Sequence, residues 1–153
     1  MAKLGVKEEE RALWNRIVEN MYFPYDEGRK VYPLDDGFMM RKPWDESKIP
    51  PEKRHLLYEN YHPLFIFRQR MSKQADAITR YGAAQQLLTE EELRRNYDFY
   101  QEVTLHHSSL STCIFGILAC RIGYEEEAYT YFAQSARMDL DDYHDNFYAG
   151  IHA

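Results

Sequence analysis

The amino-acid sequence predicts an all-α fold on three observations. Apolar residues recur at helical spacing in several stretches, as expected when one face of each helix is buried. Acidic residues and hydroxyls stand where these stretches begin, and a glycine or proline stands where several of them end. No stretch shows the alternation of a strand or the turn signal of a hairpin. We therefore expect residues 1–153 to form a single helical unit, long enough to bury a sizeable core.

The first predicted helix runs from Lys7 to Asn20. Three glutamates, Glu8 to Glu10, fall in its first turn, where the positive end of the helix dipole favours acidic side chains. Pro24 is predicted to end the helix. Its apolar residues recur at helical spacing: Trp14, Ile17, Val18 and Met21.

A long segment from Phe23 to Tyr61 follows without sustained periodicity. It holds five of the six prolines in the chain. A loop of this length in a compact domain is either functional or part of a larger architecture. Its aromatic residues favour packing against another surface: Tyr25, Tyr32, Phe38, Trp44, Tyr58 and Tyr61.

The second and third predicted helices both have clear starting signals. Pro63 is well placed at a helix start, and the helix that it opens runs toward Leu88. Its predicted apolar face contains Leu64, Phe67, Met71, Ala75 and Ile78. Thr89 and Glu92 have the spacing of a capping box, which predicts that a third helix begins there. The apolar and aromatic residues that mark that helix are Leu93, Tyr97 and Tyr100.

The fourth and fifth predicted helices are separated by Gly123, which is expected to end the fourth. The fourth helix is marked by Ile114, Ile117, Leu118 and Arg121. The fifth helix runs from Glu125 to Met138. Its side chains expected to face inward are Ala128, Tyr131, Phe132, Ser135 and Met138.

Charge and composition exclude several classes of protein. A formal charge of −6 and the lack of a basic cluster argue against nucleic acid and anionic membranes as partners. No apolar run approaches the roughly 20 residues of a spanning helix, and residues 1–13 do not resemble a signal peptide. Cys113 and Cys120 form no metal-binding pattern and are expected to be reduced thiols. We therefore expect a cytoplasmic protein.

The stretch Leu105-His106-His107-Ser108-Ser109-Leu110-Ser111 places three hydroxyls and two imidazoles ahead of the fourth helix. One serine suffices to cap the helix, whereas several hydroxyls beside free N–H groups also suit an anion. Lys73 and His152 could supply charge-assisted contacts to that anion. A serine–histidine nucleophile is disfavoured, because sequence neighbours rarely align for catalysis and no glycine elbow surrounds the serine. Residue types alone leave the cap and the anion site open.

An acidic cluster follows the fifth helix and resembles a calcium loop: Asp139, Asp141, Asp142, His144 and Asp145. A calcium loop that began at Asp139 would need glycine at its sixth position and glutamate at its twelfth. His144 and Gly150 occupy those positions. We therefore predict a solvated acidic turn and no metal site.

Four runs of residues occur in a fixed order along nearly the whole chain. They are Tyr22-Phe23-Pro24-Tyr25 with Leu34-Asp35-Asp36-Gly37-Phe38, Tyr61-His62-Pro63-Leu64 with Lys73-Gln74-Ala75-Asp76, His106-His107-Ser108-Ser109-Leu110-Ser111, and Ser135 to Asp142 closing on Gly150-Ile151-His152-Ala153. Each run is weak alone, but their ordered succession is specific. Together they resemble the disaccharide phosphorylases of glycoside hydrolase family 65, which act on maltose, trehalose, nigerose and kojibiose.

The resemblance implies a partial (α/α)6 barrel from the later half of the family's catalytic domain. Helical hairpins would form the barrel, and the aromatic-rich segment would be a loop near the sugar site. The implied phosphate-binding residues are Lys73, Ser108, Ser109 and His152, and Gln74 is implied to contact the glucose. Inorganic phosphate would be a co-substrate, and no cofactor is implied.

The implied reaction is inverting phosphorolysis of an α-linked glucose disaccharide, which yields β-glucose 1-phosphate and a free sugar. The family's general-acid glutamate is expected upstream of this chain, so we expect no catalytic residue within it. His107 and Ala149 stand where the family has acidic residues. We therefore expect a fragment that is inactive alone, with the missing remainder of the barrel or a second copy of the chain as its partner.

A tetratricopeptide-like interaction module is the alternative. Residues 123–136 have the glycine, alanine, phenylalanine and alanine spacing of such a helix pair. A solenoid needs several stacked units, however, and no second copy stands at the expected period of about 34 residues.

Overall fold

The computed structural model describes residues 5–45, 47, 49–50, 53, 57–75, 77–79, 88–106, 108–143, 148 and 150–151. These ranges contain the helices α1 (Glu8–Glu19), α2 (Leu57–Asn60), α3 (Pro63–Ile66), α4 (Glu90–Val103), α5 (Ser109–Arg121) and α6 (Glu125–Arg137), and a short 3-10 helix (Phe38–Met40). The same ranges contain no strand and only three isolated bridge pairs. The all-α prediction is therefore confirmed. None of the helices in this described part is long and apolar enough to cross a membrane.

Helix α4 begins at the predicted capping box. The Thr89 hydroxyl accepts a hydrogen bond from the Glu92 N–H at 3.2 Å, and the Glu92 carboxylate accepts one from the Thr89 N–H at 2.8 Å. These bonds satisfy N–H groups that the start of a helix would otherwise leave unpaired. Two hydrogen bonds from Thr89 lower the pKa of the Glu92 carboxyl. The larger contribution comes from the Thr89 N–H and the smaller one from its hydroxyl.

Thr89→Ala is expected to lower the free energy of unfolding by about 1 kcal/mol, because it removes the capping hydroxyl. A carboxyl whose pKa is lowered in the folded state stabilises the fold above its unfolded pKa, and that contribution is lost as the pH falls through the folded pKa. The cost of Thr89→Ala, measured by urea unfolding, should therefore be larger at pH 7 than at pH 3. The matched control is Thr130→Ala, whose hydroxyl donates to the Glu126 carbonyl within α6. Equal losses in the two variants would contradict the capping role.

Helices α5 and α6 form an antiparallel hairpin. Gly123 lies in the connection with a φ of +80°, a left-handed conformation that L side chains rarely adopt. The hydroxyls of Thr112 and Ser135 meet at 2.9 Å, which pairs the start of α5 with the end of α6. The predicted fourth and fifth helices are thus confirmed, and so is the glycine that separates them.

Two side chains of α4 bind to this hairpin. The hydroxyl of Tyr97, a fully buried residue, donates to Glu127 of α6 at 2.9 Å. Burial is the main cause that raises the pKa of Tyr97 well above its ordinary value, and the hydrogen bond to Glu127 is the second. The hydroxyl therefore remains a donor. Arg94 donates to the Ile122 carbonyl at 2.7 Å and satisfies one of the acceptors left free at the end of α5.

The aromatic-rich segment packs on α4, as its composition predicts. The Tyr100 hydroxyl donates to the Tyr32 carbonyl at 2.7 Å, and the Asn96 side-chain oxygen accepts from the Tyr32 N–H at 2.9 Å. Phe38 has no exposed surface, and its ring centroid lies 6.4 Å from that of Tyr100. A second, smaller core cluster contains Ile49, Leu57, Ile66 and Met71.

The second predicted helix is wrong as a continuous element. Pro63 does stand at a helix start, but α3 ends after four residues. The Arg70 N–H then donates to a carbonyl of the aromatic-rich segment at 2.7 Å, and the Ser72 N–H donates to the Val103 carbonyl at 2.7 Å. These long-range bonds satisfy backbone groups that a helix would have paired locally. Residues 80–87 of the predicted helix lie outside the described residues.

The faces that the helices bury also differ from expectation. Every residue of α1 is exposed, and its C-cap is Asn20, four residues before Pro24. Phe132, predicted to face inward on α6, is 67% exposed, and Ile117 of α5 is 60% exposed. The inward prediction fits the other four residues, which are half-buried or buried: Ala128, Tyr131, Ser135 and Met138.

Candidate functional site

The three serines at the start of α5 lie in different environments. Ser108 is the N-cap residue, but its hydroxyl makes no capping hydrogen bond. Ser109 opens the helix, and its carbonyl accepts from the Thr112 hydroxyl at 3.2 Å. Ser111 is fully buried. The side chains of Ser108 and Ser109 are half-buried, and their hydroxyls have no hydrogen-bond partner among the described residues. Capping therefore does not use the two hydroxyls that the family resemblance implicates.

His106 shapes the turn that leads into α5. Its φ of +55° is left-handed, which is uncommon for a residue other than glycine. Its Nδ1 lies 3.0 Å from the Ser111 hydroxyl, and its Nε2 lies 3.5 Å from the Tyr131 hydroxyl. The ring meets Phe115 edge-on, with 4.5 Å between centroids. The imidazole thus ties the first turn of α5 to α6 and fixes the path of the chain into Ser108.

This geometry does not support a serine nucleophile. The hydroxyl paired with His106 belongs to Ser111, which has no exposed surface, and not to Ser108. Burial, and to a smaller extent the negative charge of Glu127, raises the pKa of Tyr131 to about 12. The Tyr131 hydroxyl is therefore neutral at physiological pH. The three side chains form a partly buried contact that supports the turn. His107 lies outside the described residues.

A backbone pairing brings Lys73 and Gln74 to the segment that precedes α5. The Leu105 N–H donates to the Ser72 carbonyl at 2.9 Å, and the Ser72 hydroxyl donates to the Gln74 carbonyl at 2.7 Å. Three residues of chain, at most about 11 Å, separate Leu105 from Ser108. Lys73 is exposed and Gln74 is half-buried. Four of the five predicted site residues therefore lie on two adjoining segments, and the fifth, His152, lies outside the described residues.

The acidic turn after α6 is partly engaged in an ion pair. Arg137 contacts Asp141 at 2.6 Å, and the hydrogen bond from Arg137 lowers the pKa of that carboxyl. The described residues contain no group of three metal-ligating side chains. His144 and Asp145 of the predicted cluster lie outside them.

Cys113 and Cys120 are exposed and form no disulfide.

No sequence motif marks the polar cavity that lies beside this site. Trp44, Arg70 and Thr104 line it, but they are far apart in the sequence. Their proximity follows from the pairing of the aromatic-rich segment with Arg70 and of Ser72 with the end of α4. Because both contacts are long-range, no local signal could have indicated the cavity.

Comparison with known proteins supports the resemblance found in the sequence. The family model described as "Glycosyl hydrolase family 65 central catalytic domain" matches residues 1–153. An α,α-trehalose phosphorylase of Thermoanaerobacter brockii is 43% identical over 99% of this chain, and a maltose phosphorylase of Bacillus subtilis is 34% identical over 97% of it. The chain covers 20% of each of these relatives, so it spans about a fifth of their length.

The fold of the chain also matches part of a larger solved structure. A protein assigned as a kojibiose phosphorylase from the human microbiome aligns with a TM-score of 0.79 and 31% identity. The alignment covers 99% of this chain and 21% of the other. The expectation of a helical piece of a larger catalytic domain is therefore confirmed, and the tetratricopeptide alternative is not favoured.

Proposed function

The chain belongs to glycosyl hydrolase family 65, as a part of its central catalytic domain, and on that basis we propose that it contributes the phosphate-holding part of a disaccharide phosphorylase. The proposed reaction is inverting phosphorolysis of an α-linked glucose disaccharide to β-glucose 1-phosphate and a free sugar. Similarity to trehalose, maltose and kojibiose phosphorylases supports the substrate class. We further propose that the chain is inactive alone, because the family resemblance implies that the general-acid glutamate lies upstream of it.

The pairing of Ser72 with Leu105 is the observation that carries this proposal. It places the segment of Lys73 beside the turn that leads to Ser108 and Ser109. The unpaired N–H groups at the start of α5 favour a negative charge, and the two free hydroxyls add donors. An ammonium group on the adjoining segment supplies a charge-assisted contact to the same anion. His152 is proposed as a fourth contact on the family resemblance alone.

The proposed mechanism uses these groups for positioning and electrostatic stabilisation. Phosphate takes the place of the water of an inverting glycosidase and attacks the anomeric carbon from the face opposite the breaking bond. Lys73 and the Ser108 and Ser109 hydroxyls hold the phosphate in line for that attack. Gln74 is proposed to contact the glucose. The general acid protonates the departing sugar oxygen.

Phosphate binding to the chain is the direct test of the proposed site. Phosphate at 100 times its dissociation constant should raise the free energy of unfolding by about 2.7 kcal/mol, because only the folded chain binds it. Lys73→Ala and the double variant Ser108→Ala/Ser109→Ala should lower this gain, as followed by thermal unfolding at constant ionic strength. Thr130→Ala, a hydroxyl deletion on α6, should keep it.

Stabilisation by phosphate that is as large in the Lys73 and Ser108/Ser109 variants as in the wild type would reject the assigned site. If chloride stabilised the chain as much as phosphate does at the same ionic strength, a specific phosphate site would be rejected. Robust release of glucose 1-phosphate by the chain alone, with trehalose or maltose as substrate, would contradict the proposal that it is inactive by itself.

We also propose which partners the chain has. The apolar residues of α1 and the exposed Ile117 and Phe132 present surfaces suited to the remainder of a complete catalytic domain or to a second copy of the chain. The net charge of −6 speaks against nucleic acid and anionic membranes. Phosphate would act as co-substrate with no further cofactor, in the cytoplasm.

A further inference from the structure

A polar cavity of about 260 Å³ lies between three segments of the chain. It is lined by Pro43, Trp44, Arg70, Met71 and residues 102–105, and it does not include the residues proposed to hold phosphate. The Arg70 N–H donates to the Lys42 carbonyl at 2.7 Å, and the Leu105 N–H donates to the Ser72 carbonyl at 2.9 Å. These backbone bonds hold the three segments together, so the backbone that surrounds the cavity is in place before a ligand arrives.

Three residues that line the cavity each have a buried polar atom with no hydrogen-bond partner in the described part of the chain: Trp44 Nε1, Arg70 Nε and Thr104 Oγ1. Thr104 is only 8% exposed. A buried polar atom without a partner is costly, and most such atoms in folded proteins are paired with protein, water or an ion. Three of them around one cavity indicate that a bound group completes the site.

The chemistry of these atoms restricts that group. An indole N–H and a guanidinium Nε–H can only donate, whereas a threonine hydroxyl donates or accepts. Arg70 Nη1 donates to the Met39 carbonyl at 3.3 Å, which holds one end of the guanidinium and leaves the Nε edge for another acceptor. Among the described residues, no carboxylate forms an ion pair with Arg70. The missing group must therefore accept hydrogen bonds, and a negative charge would balance that of Arg70.

A small oxyanion fits this arrangement better than a sugar does. Carboxylate and phosphate oxygens accept from several donors at once, and a guanidinium binds them in a planar, bidentate manner. Each sugar hydroxyl would instead bring a further donor, and a neutral sugar would leave the charge of Arg70 unbalanced. Glu102 also lines the cavity, but it is exposed, and solvent and salt screen its charge. A water molecule occupies about 30 Å³ in the liquid, so a cavity of about 260 Å³ has room for a group larger than one water.

We propose that this cavity binds a small oxyanion, either a carboxylate or a phosphate, independently of the site at Ser108 and Ser109. The three unpaired atoms are closed to water in the ligand-free chain, so an oxyanion displaces no water from them. The wall side chains shift to admit the ligand oxygens, as side chains at binding sites commonly do. The oxyanion then pairs with the indole N–H, the Nε edge of Arg70 and the Thr104 hydroxyl.

The indole N–H of Trp44 is a direct reporter for this binding. The chain contains two tryptophans, so a ¹H–¹⁵N spectrum has two indole signals, which Trp14→Phe assigns. Sodium phosphate and sodium acetate, each titrated at constant ionic strength against chloride, should shift the Trp44 signal to saturation. The Trp14 signal, from the exposed α1, should not move with either anion. Arg70→Gln should weaken the binding at least tenfold, because it removes a charged donor.

Thr104→Val provides a second test that keeps the shape of the side chain and removes only the hydroxyl. It should weaken the binding about threefold, and it decides the question if Arg70→Gln does not fold. Lys73→Ala and Ser108→Ala should leave the Trp44 titration unchanged, which separates this cavity from the proposed phosphate site.

Several results would overturn the proposal. The first is the absence of a saturable shift of the Trp44 signal. The second is an equal anion affinity in the wild type, Arg70→Gln and Thr104→Val. The third is loss of the Trp44 shift in Lys73→Ala. A Trp44 shift that glucose produces and neither anion produces would assign the cavity to a neutral ligand instead. Failure of phosphate to stabilise the chain through Lys73 would reject the proposed function and leave this result intact.

Discussion

Phe115→Ala is expected to lower the free energy of unfolding by about 3–5 kcal/mol, because it leaves a cavity in the main core. Phe115 has no exposed surface. Its ring packs against Tyr97 of α4, His106 of the turn before α5 and Tyr131 of α6, at centroid distances of 5.4, 4.5 and 5.7 Å. One side chain therefore joins three elements, including the turn that presents Ser108. Urea unfolding should show a lower midpoint with a similar denaturant slope.

Phe132→Ala is the matched control for this prediction. It makes the same substitution on the adjoining helix, but Phe132 is 67% exposed. Its expected effect is within about 0.5 kcal/mol, as for most surface substitutions. If Phe132→Ala cost as much as Phe115→Ala, the arrangement of α5 against α6 described above would be wrong.

Gly116→Val is expected to destabilise the chain by about 2–3 kcal/mol, because it forces α5 away from α6. A Cβ atom at Gly116 would lie 3.2 Å from the Tyr131 Cβ and 3.7 Å from the Ala128 carbonyl oxygen. These atoms belong to or adjoin the backbone of α6 and cannot move aside alone. Valine would add two further methyl groups at this contact. The corresponding fall in melting temperature is about 5–10 °C for a chain of this size.

Gly116→Ala separates the steric effect from the loss of glycine. Alanine has a helix propensity about 1 kcal/mol better than glycine, which should offset much of the strain from a single methyl group. Gly28→Ala is the control outside the hairpin, because its Cβ would meet only Asp26 Oδ1 at an ordinary 3.5 Å. A Gly116→Val variant as stable as Gly28→Ala would show that the two helices are not packed this closely.

Several features could be predicted from residues that are close in the sequence. Thr89 and Glu92 form the expected capping box, and Gly123 adopts the left-handed conformation expected between two helices. The phosphate-binding roles of Lys73, Ser108 and Ser109 rest on the family motifs and stay a prediction. Caps and glycine turns involve groups only a few positions apart, so the sequence contains all that is needed to recognise them.

Other features depend on contacts between distant segments. The predicted helix after Pro63 is interrupted because Arg70 and Ser72 form backbone hydrogen bonds with other parts of the chain. His106 pairs with Ser111, five residues further along the chain, through a left-handed backbone, and the sequence pattern did not predict this pairing. In both cases a long-range or unusual backbone arrangement outweighs the local periodicity.

By itself, the sequence determined the all-α class, the start of α4, the bounds of α5 and α6 to within a few residues, and the motifs that place the chain in its family. Only the tertiary structure decided that Phe115 is buried while Phe132 is exposed, and that Ser72 lies beside Leu105. Helix bounds follow from interactions within a turn or two of the chain. Burial and the joining of site segments depend on which distant elements meet, and periodicity alone does not specify that.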